Sequence, residues 1–211
     1  GIDVIGPREI NSGDSITNTK LFIFRQEELN KVLVHELIHY LELDLNEVPF
    51  LDCSTYFNIS SNNEIRLNEA YTEIMALMIN TIIFSDKVDV IKDILNKELK
   101  YSMYQSAKIL SLFNFKNAHE FFKQCDCDNF RQNTDIFSYF IVKTAILLNL
   151  DDFLKLYYNG KITRLNFKEY ILAITLSKKY MSLIDKFMKI IHSNKHFLKP
   201  PKTLLNTLRM T

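Results

Sequence analysis

The sequence predicts an α+β protein, predominantly α-helical, with a small N-terminal β-sheet and a helical C-terminal part. Three observations carry this. Strand-like apolar runs occur only within residues 1–25, apolar residues recur at helical spacing from Gln26 onward, and turn-forming residues cut that second stretch into separate helices. No internal repeat or low-complexity linker interrupts the chain. Residues 1–211 therefore read as one domain, with the sheet and first helix in 1–60 and a helical lobe in 61–211.

Leu21-Phe22-Ile23-Phe24 is a short apolar run bounded by polar residues, and Ile2 to Ile5 is a candidate partner for it. Between them, Asn11-Ser12-Gly13-Asp14 has the composition of a turn. Helices are expected at about 26–44, 63–84, 87–112, 116–124, 134–149, 151–158, 166–176 and 178–193. Pro49 with Asp52, Ser60 to Asn63, Ser85-Asp86, Asn159-Gly160 and Ser193-Asn194 separate them. Asn63 suits the cap of the second helix, and Asp135 the opening of the fifth. The tail from Phe197, with Pro200-Pro201, reads as extended.

The composition is that of a globular protein, 47% hydrophobic and 24% charged. A net charge of +1 argues against nucleic acid or an anionic membrane as the main partner. No run approaches the roughly 18 apolar residues of a membrane span, and no secretion-signal pattern is seen. Three cysteines, with Cys125 and Cys127 too close to bridge, read as free thiols of an intracellular, cytoplasmic protein. Low Gly with plentiful Asn, Ile and Lys suits AT-rich coding, as in a virus, a parasite or a low-GC bacterium. Oligomeric state is not written in the sequence.

The chemistry is concentrated in His35-Glu36-Leu37-Ile38-His39. Residues four apart on a helix differ by about 40° of rotation, so His35 and His39 project side by side and can share one Zn²⁺. Glu36, about 100° round, is placed to act on water as a general base. Leu29, Val32, Leu33, Val34, Leu37, Ile38, Leu41 and Leu43 make this helix apolar on nearly every face, the pattern of a buried helix. Buried histidines and a buried glutamate need polar partners, and a metal is one.

A catalytic zinc takes a third protein ligand and keeps one open position. The pattern with a third histidine is closed, because Glu42 and Leu45 stand where its glycine and histidine would be. The second helix offers Leu67-Asn68-Glu69-Ala70-Tyr71-Thr72-Glu73, with Glu69 and Glu73 again four apart. One glutamate can bind the metal while the other accepts the hydrogen bond of a ligand histidine. Glu64, Glu73 and Asp44 are rivals to Glu69 for the ligand position.

With these residues the sequence resembles the gluzincin metallopeptidases, the thermolysin-like group, over residues of about 20–80. The resemblance implies a zincin-like fold, with His35, His39 and Glu69 as ligands of one catalytic Zn²⁺, Glu36 as base and Glu73 as the acid behind a ligand. Asn68-Glu69 also looks like the Leu-Asn-Glu of the aminopeptidase branch, and a separation of 30 residues from His39 to Glu69 is wider than in thermolysin. There is a likeness, too, to metallopeptidases of large DNA viruses. The resemblance further places Leu21, Phe22, Ile23 and Phe24, with Arg25, on the edge strand that pairs with an extended peptide; a plain core strand is the other reading.

Hydrolysis also needs a donor for the developing oxyanion. Tyr139 is the first choice, with Tyr71, Tyr104 and His119 as alternatives. His192 with His196 suits a solvated helix end, Cys125-Asp126-Cys127 lacks the further ligands of a metal site, and Arg209 matters only for a carboxypeptidase. The expected function is a zinc metallopeptidase acting on a peptide or protein substrate. The alternatives are a catalytically silent zincin scaffold serving as an interaction module, and a zinc hydrolase of a non-peptide bond.

Overall fold

Alternation of exposure identifies the first two elements. In β1 (Gly13–Ile16) and β2 (Lys20–Ile23) successive side chains are half-buried and exposed in turn, as the pleat of a strand requires. The two strands pair antiparallel, with Gly13 opposite Ile23 and Ile16 opposite Lys20. Asn18 turns the chain between them at φ 51°, a left-handed conformation that asparagine tolerates. The structure is a computed structural model describing residues 4–5, 11–24, 26–45, 55–60, 65–122, 129–163 and 166–193.

The strand pairing differs from the sequence expectation. Residues 13–14 open a strand instead of a turn, and Ile5 makes a lone parallel bridge to Gln132. Close packing explains the glycine: a Cβ on Gly13 would come within 2.7 Å of Val32 Cγ1 and 2.8 Å of Glu36 Oε1. Gly13 is there so that β1 can press against the next helix.

That helix, α1 (Leu29–Tyr40), follows a 3₁₀ turn at Gln26–Glu28. It ends in a Schellman motif. The Glu42 N–H donates to His39 O (3.0 Å), the Leu43 N–H donates to Ile38 O (2.9 Å), and Glu42 sits at φ 55°. Lys31, Val32, His35, Glu36 and Ile38 are buried. The expectation that α1 is covered all round fails on one face, where Leu29, Leu33, Leu37 and Leu41 are exposed at four-residue spacing. The helix lies at the margin of the helical body, with α2 (Leu67–Ile83) on one side and the hairpin on another.

The remaining elements are α3 (Val88–Leu112), the short α4 (Ala118–Phe121), and a π-helical segment, Phe137–Val142, that runs into α5 (Lys143–Leu148). Then come α6 (Leu150–Tyr158), α7 (Phe167–Thr175) and α8 (Lys178–Ser193). α2 begins at Leu67 with no capping side chain; Asn63, expected to cap it, lies outside the described residues. So do Glu64, Arg209, His196, Pro200, Pro201 and the Cys125-Asp126-Cys127 segment.

Phenylalanine builds much of the core. Phe57, Phe121, Phe130 and Phe137 are fully buried, with ring centroids 5.0 Å apart for Phe57–Phe137 and 5.3 Å for Phe121–Phe130. The wide turn of the π segment leaves backbone carbonyls that side chains satisfy. Ser106 Oγ donates to Phe140 O at 2.9 Å and Tyr180 Oη to Ile141 O at 2.7 Å. The fold class is thus α+β, predominantly helical, with one small sheet among the described residues. No described helix is long and apolar enough to cross a membrane.

Candidate metal centre

α1 and α2 run antiparallel, so that His39 of α1 meets Glu69 of α2 and His35 meets Glu73. The i, i+4 spacing predicted for both pairs is what permits this double contact. His35 Nε2 and His39 Nε2 are 3.1 Å apart, and Glu69 Oε2 lies 3.5 Å from the first and 3.3 Å from the second. A tetrahedral ion with bonds of about 2.0–2.1 Å has edges of about 3.3–3.4 Å, so the triangle fits one face of such a coordination shell. Among the described residues, His35, His39 and Glu69 are the group placed to hold a metal ion.

The other imidazole nitrogens are spoken for. His35 Nδ1 is 3.0 Å from Glu73 Oε2, and His39 Nδ1 is 2.8 Å from Asp44 Oδ2. A carboxylate fixes Nδ1 as the protonated nitrogen, which turns both Nε2 lone pairs inward toward the Glu69 oxygen. Three acceptors converging on one point need a cation or protons between them.

The titration of the cluster says the same. Burial opposes charge on His39, but Asp44 and Glu69 outweigh it and hold the imidazole up to about 10. His35 is likewise raised against burial, by Glu69 and Glu73. Glu69 is lowered although burial works against it, because both histidines favour its anion. With both histidines raised and Glu69 lowered, the cluster favours protonated imidazoles, and a metal ion entering between them would have to displace those protons.

Glu73 is fully buried and shared. Its Oε1 accepts from Lys31 Nζ and from Lys143 Nζ (3.3 Å), while Lys143 also donates to Glu98 at 2.7 Å. Burial would raise the Glu73 pKa, but Lys31, Lys143 and His35 carry it well below the ordinary range. The two lysines move in opposite directions: burial lowers Lys31, whereas Glu98 and Glu73 outweigh burial at Lys143 and raise it.

A cleft of about 280 Å³ opens onto His35, His39 and Glu69. Glu36 lines it, 7% exposed, with its pKa raised by burial and partly restored by His35 and a hydrogen bond from Ser15. Tyr139, the first-choice oxyanion donor, also lines it; its hydroxyl donates to Glu69 Oε2 at 3.1 Å. The π-helical turn carries it there, and Ser138 beside it donates to Arg66 O at 2.7 Å.

Other expected residues lie elsewhere. Leu21, Phe22, Ile23 and Phe24 do not line the cleft; Gly13, Asp14 and Ser15 of β1 do, since β1 is the strand pressed against Glu36. Tyr71 packs among Phe153, Tyr157 and Phe167, His119 is exposed, and Tyr104 flanks the core. Asp44, considered as a ligand, instead orients His39. Sequence reasoning missed Lys31, Lys143 and the Arg66–Asp135 pair. Lys31 alone carried a signal, four residues before His35 on the same helical face.

No family model and no solved structure matches the chain. Among known proteins it is similar to "Uncharacterized protein R210" of Acanthamoeba polyphaga mimivirus, with 28% identity over 184 residues. The match covers 82% of this chain and 47% of the viral protein, so the chain spans about half the length of that relative.

Proposed function

We propose that the chain is a zinc-dependent metallopeptidase of gluzincin type and zincin-like fold, hydrolysing peptide bonds with Glu36 as general base. The observation that carries this reading is the convergence of His35 Nε2, His39 Nε2 and Glu69 Oε2 at 3.1–3.5 Å, each histidine locked from behind by a carboxylate. The His₂Glu donor set and the spacing both suit zinc. When bound, the ion supplies a Lewis acid that polarises a carbonyl and makes water easier to deprotonate.

The chain's own residues supply the proton transfers. Glu36, raised by burial at the wall of the cleft, takes a proton from water and delivers it to the leaving amine. Tyr139 keeps its phenolic proton, since burial and Glu69 raise its pKa well above the ordinary value. That proton, given to Glu69 Oε2 in the substrate-free site, turns to the oxygen on which negative charge develops once substrate enters. The substrate is a peptide or protein. An intracellular setting and a viral origin belong to the same reading, the second supported by the mimivirus relative.

Glu36→Gln tests the reading directly. Elemental analysis should find zinc retained, while cleavage of a peptide library falls by about 10²–10⁴-fold, the usual contribution of a general base. Full activity in that variant would refute the assignment. Stoichiometric zinc in the wild type with no turnover on any peptide would favour a silent scaffold.

A further inference from the structure

Apart from Gly13, every residue lining the cleft carries a polar side chain, so the walls offer no apolar seat for a substrate side chain. Selectivity here must come from charge and hydrogen bonding. Among the described residues lining the cleft, Arg66 is the one lysine or arginine. It is built in. Its Nε donates to Asp135 Oδ1 at 3.2 Å and its Nη2 to Asp135 Oδ2, while the Asp135 side chain is only 3% exposed.

This side-on grip fixes the guanidinium plane. It uses two of the three nitrogens. The third, Nη1, faces the metal ligand Glu69, but at 3.7 Å from Oε1 it is beyond hydrogen-bond length, and the Arg66 side chain remains 53% exposed. A rigid cation is thus held beside the place of a second cation. Two like charges so close favour an anion that touches both.

Resting on the metallopeptidase reading, we infer that Arg66 is the anchor for a substrate carboxylate and that the site selects peptides with a free carboxylate next to the cleaved bond. Two sources share that chemistry: the C-terminal α-carboxylate and an Asp or Glu side chain. Asp135 positions the anchor and leaves Nη1 for the substrate.

The test uses the cobalt(II)-loaded protein and two probes, glutarate and its monoamide, read through the visible bands of the metal. Wild type should respond to glutarate at about 10- to 100-fold lower concentration, the factor expected for one charged hydrogen-bonded contact. Arg66→Met should abolish that preference, and Arg66→Lys should keep part of it. Because Arg66→Met strands a buried carboxylate, the double variant Arg66→Met/Asp135→Asn removes both charges and must also lose the preference. A preference unchanged in the double variant overturns the inference. Failure to bind cobalt at all overturns the metal reading instead, and this one with it. Cleavage of paired peptides then separates the sources: loss on C-terminal amidation identifies the α-carboxylate, and loss on Glu→Gln beside the bond identifies a side chain. Equal cleavage of both pairs by the wild type also overturns the inference.

Discussion

Glu73→Gln replaces one oxygen by a nitrogen of nearly the same size, yet the site cannot absorb it. Oε1 faces the ammonium groups of Lys31 and Lys143, and Oε2 faces Nδ1 of His35. Glutamine has one acceptor. If its oxygen serves the lysines, its NH₂ meets the Nδ1–H; if reversed, the NH₂ meets two ammoniums. Either rotamer leaves a buried donor opposed, worth about 1–3 kcal/mol, and removing one partner of a buried ion pair costs about 3–5 kcal/mol. These terms overlap, and loss of a proton from Lys31 relieves part of the strain. A net loss of about 3–5 kcal/mol in the zinc-free protein is expected.

Zinc affinity should fall as well, by about 10- to 100-fold, because His35 loses the carboxylate behind it. Urea melts of the metal-free protein and a chelator competition measure the two effects separately. Stability within about 0.5 kcal/mol of wild type, as for an ordinary surface change, together with unchanged zinc affinity, would show that Glu73 does not act as the anion of this cluster.

Three further outcomes are expected. Gly13→Ala drives a Cβ into Val32 and Glu36, so urea melts should show a loss of about 1–3 kcal/mol, and hydrolysis should fall because the base is displaced. Glu42→Gly relieves the left-handed φ 55° at the end of α1 and should stabilise the protein by roughly 0.5–1 kcal/mol in the same assay. The His39 pKa is raised from 6.5 to about 10, so its contribution is complete below pH 6.5 and lost as pH rises toward 10; thermal melts of the zinc-free protein should decline across that window, and saturating zinc should remove the decline.

Much of this centre was legible because its signals are local. The i, i+4 pairs on α1 and α2 follow from helix periodicity alone, and the ends of α3, α6 and α8 fall within a residue or two of their predicted bounds. Lys143 was not legible. Its partners Glu73 and Glu98 lie 70 and 45 residues away, and nothing around it distinguishes a buried lysine from a surface one. The π turn that delivers Tyr139 also leaves no mark, since Phe137–Val142 reads as ordinary apolar helix. Gly13 and Asp14 open a strand although Asn11-Ser12-Gly13-Asp14 has the composition of a turn, because Gly13 serves close packing, a requirement imposed by a helix that sequence reading places but does not dock.

The two histidines differ in how far their supports reach along the chain. Asp44 is five residues from His39, across the tight turn at Glu42, so that half of the centre forms with α1 itself. Glu73 and Glu69 arrive together, only when α2 docks. An ion bound by His35, His39 and Glu69 would therefore act as a clip, closing the loop between His39 and Glu69 and removing chain entropy from every state in which the helices part. Withdrawing it with a chelator should release the hairpin and α1 from the helical body before the phenylalanine core opens. Hydrogen exchange would register this order as early loss of protection in α1, with α3 and α8 still protected.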